Sequence, residues 1–260
     1  YDVVPVTDNG KIDIEAYKGF FRADTRLVSI MMANNEIGQI QDIELLCQIA
    51  REKAVLFHTD AVQAFGKMDV KVTDLGVDFL SLSAHKIYAP KGLGVLFVKD
   101  DAMLKPLLDG AHHERSMRAS TENIPAIFAF KTALEQLDVV SYQAHTADVR
   151  STFVSLLKAH IPDIVFHHAL AGLTNTVSVS FEGVFGHHLA MNCDLEGIDV
   201  STGSACSVGA IEPSHVLKAI GVADDINQST LRFSFGLMST KQECEDVVHR
   251  LKGIIARMRS

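Results

Sequence analysis

AVLFH (54–58), VDFLSLS (77–83) and GVLFVK (94–99) are three strand-sized runs that are mostly apolar on both alternating faces. A strand that is apolar on both faces is buried on both, which is the pattern of a parallel sheet covered by helices. The neighbouring segments agree. RLVSIMM (26–32) is another short β-branched and apolar run. DIELLCQIAREK (42–53) places Ile43, Leu46, Cys47 and Ala50 on one helical face and ends in a cationic turn. Strands alternating with helices predict an α/β domain with a mostly parallel sheet, whose chemistry gathers at the carboxyl ends of the strands.

Further along, residues 122–160 predict two consecutive helices broken near Val140–Ser141. The pattern then restarts, with strands at 175–181 and 229–235 and helices near 185–196, 213–220 and 240–258. Pro213 and Gly221 stand where N1 and C′ residues belong. The last helix carries Val247, Val248, Leu251, Ile254, Ile255 and Met258 on one face, behind a capping pattern at Ser239–Thr240 and Gln242–Glu243. These features divide the chain near residue 140, into a large domain (1–140) and a smaller α+β C-terminal domain (141–260).

Composition excludes several function classes. At 47% hydrophobic and 22% charged residues the chain has ordinary globular usage. The 24 Lys and Arg against 32 Asp and Glu give a net charge of −8, which argues against direct contact with nucleic acid. No apolar run approaches a membrane span and no export leader is visible, so a cytoplasmic chain without membrane contact is expected. The four cysteines (47, 193, 206 and 244) form no CxxC pair and no zinc-like spacing. His112–His113, His167–His168 and His187–His188 are adjacent pairs whose side chains diverge, and no Cys or carboxylate completes a set, so no metal site is expected. The chain opens at Tyr1 without an initiator methionine, which reads as a fragment, a processed product or a longer chain with its front missing.

Three stretches could carry chemistry. In SLSAHKIYAPKGLG (81–94) a strand ends in a Ser–Ala–His–Lys turn, and Pro90 and Gly92 break the chain before the next strand. Lys86, beside a hydroxyl and an imidazole, is placed to form a Schiff base; a solvated loop lysine is the plainer alternative. In LFHTDAVQ (56–63) a buried strand ends at Asp60, a carboxylate that can cap a helix or pair with a cationic ring nitrogen such as that of pyridoxal phosphate. In VSTGSACSVGAIEPSHVL (200–217) Cys206 sits among Ser, Thr, Gly and Ala ahead of a helix. That composition describes an exposed loop carrying one thiol, or else an incidental cysteine in a linker.

HTDAVQ, SLSAHKIYAPKG, STGSACS and EPSHVL, in this order, resemble the class V aminotransferase family, and within it the cysteine desulfurases of the nitrogen-fixation and iron–sulfur-assembly group. VSIMMANNEIGQIQDI (28–43), HERSMRASTENIPAI (113–127) and TLRFSFG (230–236) match the same pattern. The resemblance covers practically the whole chain. It implies the large domain of a fold-type-I pyridoxal 5′-phosphate enzyme, a homodimer, and conversion of L-cysteine to L-alanine with sulfur passed to an enzyme cysteine. By position, Lys86 would hold the cofactor and then serve as base. Asp60 would face its ring nitrogen, and Gln63 and Asn35 its ring hydroxyl. Ser83 and His85 would bind the phosphate, Thr121 the phosphate of the other subunit, and Arg232 the substrate carboxylate. Cys206 would accept sulfur as a persulfide and pass it to a scaffold, a sulfur carrier or a tRNA-thiolating enzyme.

The sequence also departs from the family pattern. The family's chain begins upstream, with a phosphate loop and a stacking histidine, so an absent N-terminal segment is expected. Ala111, His112 and Ser120 stand where the family tends to have glycines, and Leu237 where an arginine is common. The rival readings are another class V enzyme (a selenocysteine lyase or an aminotransferase) and a non-catalytic fragment that binds sulfur-acceptor proteins.

Overall fold

The computed structural model describes residues 1–100, 104–169, 171–203 and 212–260. They form two compact units, one of residues 21–32 and 42–138, the other of 1–20, 33–41 and 139–260. Residues 1–20 and 33–41, which the sequence assigned to the first domain, therefore group with the C-terminal part. Backbone contacts show why for 33–41: Ala169 N donates to Ile37 O and Leu173 N to Gly38 O, each at 2.8 Å.

The unit of 21–32 and 42–138 is built on one sheet, in spatial order β1 (Leu27–Met31), β2 (Leu56–Asp60), β3 (Phe79–Ser83) and β4 (Gly94–Val98). β1, β2 and β3 are parallel, with Met31 opposite Asp60 and Asp60 opposite Ser81. β4 runs antiparallel to β3, with Ser83 opposite Gly94. Helix α1 (Ile43–Glu52) links β1 to β2 as a parallel crossover requires. Asp42 caps it by accepting from Leu45 N at 3.1 Å, and Ile43, Leu46, Cys47, Ile49 and Ala50 form its buried face. Helix α2 (Ile124–Glu135) begins behind an Asn123 cap with Pro125 in its first turn.

The other unit holds an antiparallel sheet in the order β5 (Ile164–Phe166), β6 (Thr176–Phe181), β8 (Thr230–Ser234), β7 (Ser201–Thr202). Helices α3 (Val139–His160), α4 (Gly186–Leu195) and α6 (Lys241–Arg259) cover it, and a short α5 (His215–Ala219) precedes β8. Phe153 of α3, Val177, Val179 and Phe181 of β6, Leu231 and Phe233 of β8, and Leu251 and Ile255 of α6 lie in one core. The Phe153 and Phe233 rings are 4.8 Å apart. α6 starts with the capping box the sequence predicts: Thr240 Oγ1 accepts from Glu243 N, and Glu243 Oε2 accepts from Thr240 N. The break between the two long helices falls at 136–138, slightly before the expected position. Pro213 lies outside α5, whose cap is Ser214, while Gly221 takes the expected left-handed conformation at φ 81°. No described helix is long and apolar enough to cross a membrane.

His167 gives this unit a pH dependence. Its Nε2 lies 2.7 Å from Ser180 Oγ, which also lies 2.8 Å from Ile226 O and 2.6 Å from Thr230 Oγ1. Burial, and then the neighbouring His168, push its pKa down to about 4. An unfolded chain binds a proton near pH 6.5 that the folded ring refuses, so stability is full above that value and falls as pH drops toward 4. We expect a loss of roughly 2 kcal/mol between pH 7 and pH 4.5 from this ring, after allowance for partial exposure. Urea unfolding of wild type and His167→Gln at the two pH values measures it. A fall of the same size in the variant would assign the effect to other groups.

Candidate functional site

The carboxyl ends of β2 and β3 present adjacent polar residues. Asp60 is the last residue of β2, and its Oδ1 accepts from Val62 N at 2.8 Å in a tight turn. Its second carboxylate oxygen has no hydrogen-bond partner among the described residues. Behind it, His58 bridges the sheet: Nδ1 lies 2.8 Å from Ser29 Oγ on β1 and Nε2 2.8 Å from Ser81 Oγ on β3. Burial lowers the His58 pKa while Asp60 pulls it upward. Gln63 Oε1 accepts from the buried Lys67 Nζ at 2.7 Å, which leaves the Gln63 amide N–H₂ as its available donor.

β3 ends at Ser83 and turns directly into a 3₁₀ turn, Ala84–Ile87. Ala84 and Ile87 are buried and anchor the turn, while His85 and Lys86 point outward. Gly66, at φ 77°, makes room for this anchor, because a Cβ there would strike Ile87. Ser83 Oγ lies 2.8 Å from His85 Nδ1, pairing a hydroxyl with an imidazole at the sheet end. Lys86 Nζ forms no hydrogen bond or ion pair among the described residues. Tyr88 at φ 69° and Gly92 at φ 96° then reverse the chain into β4.

Thr121 is exposed in the loop before α2. Of the three residues standing in place of family glycines, Ser120 adopts positive φ, at 83°, while Ala111 and His112 do not. Glu114, Arg115 and Ser116 also have positive φ, so this loop carries backbone strain just ahead of Thr121.

Asn35 and Arg232 belong to the other unit, where the structure brings them together. Arg232 lies on β8 between Ser178 and Ser201 in register. Its Nη1 donates to Asn35 O at 2.9 Å and its Nη2 to Ser201 Oγ at 3.2 Å, while Nε is buried with no partner among the described residues. Asn35 thus contributes its backbone here. A guanidinium held by a carbonyl and a hydroxyl has N–H donors left over for an anion. Cys206 lies outside the described residues.

One residue was missed in the sequence. Glu36 is 6% exposed, and its Oε2 accepts from Ser214 Oγ at 2.5 Å. Burial raises its pKa; the Ser214 hydrogen bond, His215 and Arg232 oppose the rise. The available signal was a lone carboxylate in the turn NNEIG, beside an apolar residue and a glycine.

Among the described residues no group of three or more His, Cys, Asp or Glu could hold a metal ion. Comparison with known proteins places the chain in the same family. The aminotransferase class-V family matches residues 1–247. The chain is 40% identical over 260 residues to the cysteine desulfurase IscS of Dictyoglomus turgidum, covering 99% of this chain and 66% of that protein. It is 35% identical over 262 residues to the cysteine desulfurase NifS of Azotobacter vinelandii, covering 99% and 65%. The chain thus spans about 65% of the length of these curated relatives. Among solved structures, a NifS-like protein superposes with a TM-score of 0.88 at 34% identity, over 98% of this chain and 68% of that one. A structure of SspA in complex with cysteine gives 0.77 at 31% identity, over 92% and 67%. On the match over residues 1–247, the chain belongs to the class V aminotransferase family.

Proposed function

We propose that this chain provides the pyridoxal-phosphate-binding and sulfur-accepting parts of a cysteine desulfurase, which converts L-cysteine to L-alanine. The observation that carries this reading is the sheet end itself. A lysine amine with no partner among the described residues follows a hydroxyl–imidazole pair, next to a strand that ends in a carboxylate with one oxygen likewise unpaired. These residues fit the cofactor's chemical parts: Lys86 its aldehyde, Ser83 and His85 its phosphate, Asp60 its ring nitrogen. The Gln63 N–H₂ and Asn35 would reach the ring hydroxyl, and Thr121 the phosphate held by a second copy in a homodimer. When bound, pyridoxal phosphate supplies an electron sink for chemistry at an amino acid's α-carbon.

The chain's own residues do the rest. Arg232 holds the substrate carboxylate through its remaining N–H donors. Asp60 would pair with the ring nitrogen through its carboxylate. Lys86 Nζ, the amine that would hold the cofactor, would also take the α-proton as general base. The thiolate of Cys206 attacks the substrate sulfur. The S–Cβ bond breaks, its electron pair ends in a C–H bond of alanine, and the S–S bond of a persulfide forms on Cys206. The two thiols and the leaving carbon balance without an outside oxidant. The outer sulfur of the persulfide would then pass to an acceptor in the cytoplasm, such as an iron–sulfur scaffold, a sulfur carrier or a tRNA-thiolating enzyme, and return Cys206 to its thiol form.

Incubating the cofactor-loaded chain with cysteine and counting products tests the reading. Alanine and enzyme-bound persulfide in equal amounts in the first turnover are expected. A keto acid in place of alanine would point to transamination and contradict the proposal.

A further inference from the structure

Glu36 is a buried carboxylate that the reaction above leaves without a part. Its partner Ser214 is fixed on every side. Ser214 N donates to Asn227 Oδ1 at 2.8 Å, Ser214 O accepts from Asn227 Nδ2 at 2.9 Å, and Ser214 Oγ accepts from Val216 N and Leu217 N. Gly203 lies close against the same carboxylate, since a Cβ there would sit 3.2 Å from Glu36 Oε2. Glu36 also follows directly on Asn35, whose carbonyl accepts from Arg232. One short segment therefore anchors both the guanidinium and the buried carboxylate.

Among the described residues, the ionisable groups that act on Glu36 through space are Arg232 from β8 and His215 from α5. An ionised Glu36 draws on the positive charge of Arg232 and repels any carboxylate approaching it. A protonated Glu36 does neither, and it keeps its hydrogen bond with Ser214. A carboxylate arriving at Arg232 in turn disfavours the ionised form of Glu36, and this coupling must be reciprocal. Burial already favours the neutral form.

We propose that Glu36 is a positioning residue whose charge sets the affinity of Arg232 for a carboxylate ligand, so that ligand binding is accompanied by proton uptake at Glu36. The proposal rests on the reading above in taking Arg232 as the carboxylate-binding group.

Two measurements test it, and the first needs neither cofactor nor turnover. The Glu36 carboxyl is followed by carbon-13 NMR through a pH titration, with and without propionate as the probe. Propionate is expected to move the midpoint upward in wild type and to have no effect in Arg232→Gln. In that variant the ligand-free midpoint is already higher, because the guanidinium's lowering influence is gone. A midpoint unmoved by either change overturns the proposal, even if cysteine turnover proves real. The second compares the KM for cysteine of loaded wild type and Glu36→Gln, whose amide oxygen still accepts from Ser214. At neutral pH the variant's KM is expected to be about three- to tenfold lower, with a smaller change in kcat. The gap should close as pH falls. An equal or higher KM in Glu36→Gln at every pH would leave Glu36 a packing residue and overturn the proposal. If the loaded chain makes no alanine at all, the desulfurase reading fails while the NMR titration still decides the coupling.

Discussion

Lys86→Ala is expected to abolish alanine formation by the loaded chain, by on the order of 10⁴-fold or more, while leaving stability within about 0.5 kcal/mol of wild type. The two halves of this expectation have different causes. The side chain is exposed and makes no hydrogen bond or ion pair among the described residues, so the fold loses little. The turn that carries it is held by Ala84 and Ile87, buried to 0% and 2% exposure, and by the space that Gly66 leaves for Ile87. Lost activity in a chain with unchanged unfolding is therefore a chemical loss. Steady-state alanine production and a urea unfolding curve measure the two parts. Activity within tenfold of wild type would remove Lys86 from the reaction.

Cys206→Ser is expected to eliminate the persulfide, with alanine formation lowered by about 10³-fold or more, and to leave cofactor binding intact. A serine hydroxyl does not ionise near neutral pH and is a poor nucleophile toward sulfur, whereas a thiolate is a strong one. The other three cysteines make poor substitutes. Cys47, Cys193 and Cys244 are each 4% exposed or less. Burial, with nearby glutamates adding to it, pushes the thiols of Cys193 and Cys244 up to about 11. Burial also raises the Cys47 thiol. Alkylation that distinguishes persulfides, followed by peptide mass spectrometry, reads the outcome. Persulfide on another cysteine at the wild-type rate would show that the acceptor lies elsewhere.

Local patterns in the sequence were sufficient where local forces govern the structure. The two-sided apolar runs became parallel β1, β2 and β3, and the face of Ile43, Leu46, Cys47 and Ala50 became the buried face of α1. Thr240 and Glu243 formed their capping box because both partners lie within one turn. Direction was not legible in GVLFVK, since the same residues suit either orientation; the reversals at Tyr88 and Gly92 make β4 antiparallel. Cys244 sits among charged neighbours in a polar stretch, yet the helical period turns it inward, with its Sγ donating to Val149 O at 3.8 Å. The grouping of 33–41 with the C-terminal part was also hidden. Arg232 reaches Asn35 across 197 positions and Ser214 reaches Glu36 across 178, and no window of sequence spans such distances. Glu36 escaped notice for that reason: its burial is set by residues far away in the chain. Lys86, Asp60, Ser83 and His85 were legible because each sits at a strand end that its own neighbours define.

Measuring the proposed attachment of pyridoxal phosphate to Lys86 is the most direct test. The chain is loaded with the cofactor, reduced with borohydride, digested and mapped by mass spectrometry, alongside Lys86→Ala. The predicted result is cofactor mass on the peptide containing Lys86 in wild type and on no peptide in the variant. Cofactor mass on a different lysine, or on none in wild type, would contradict it.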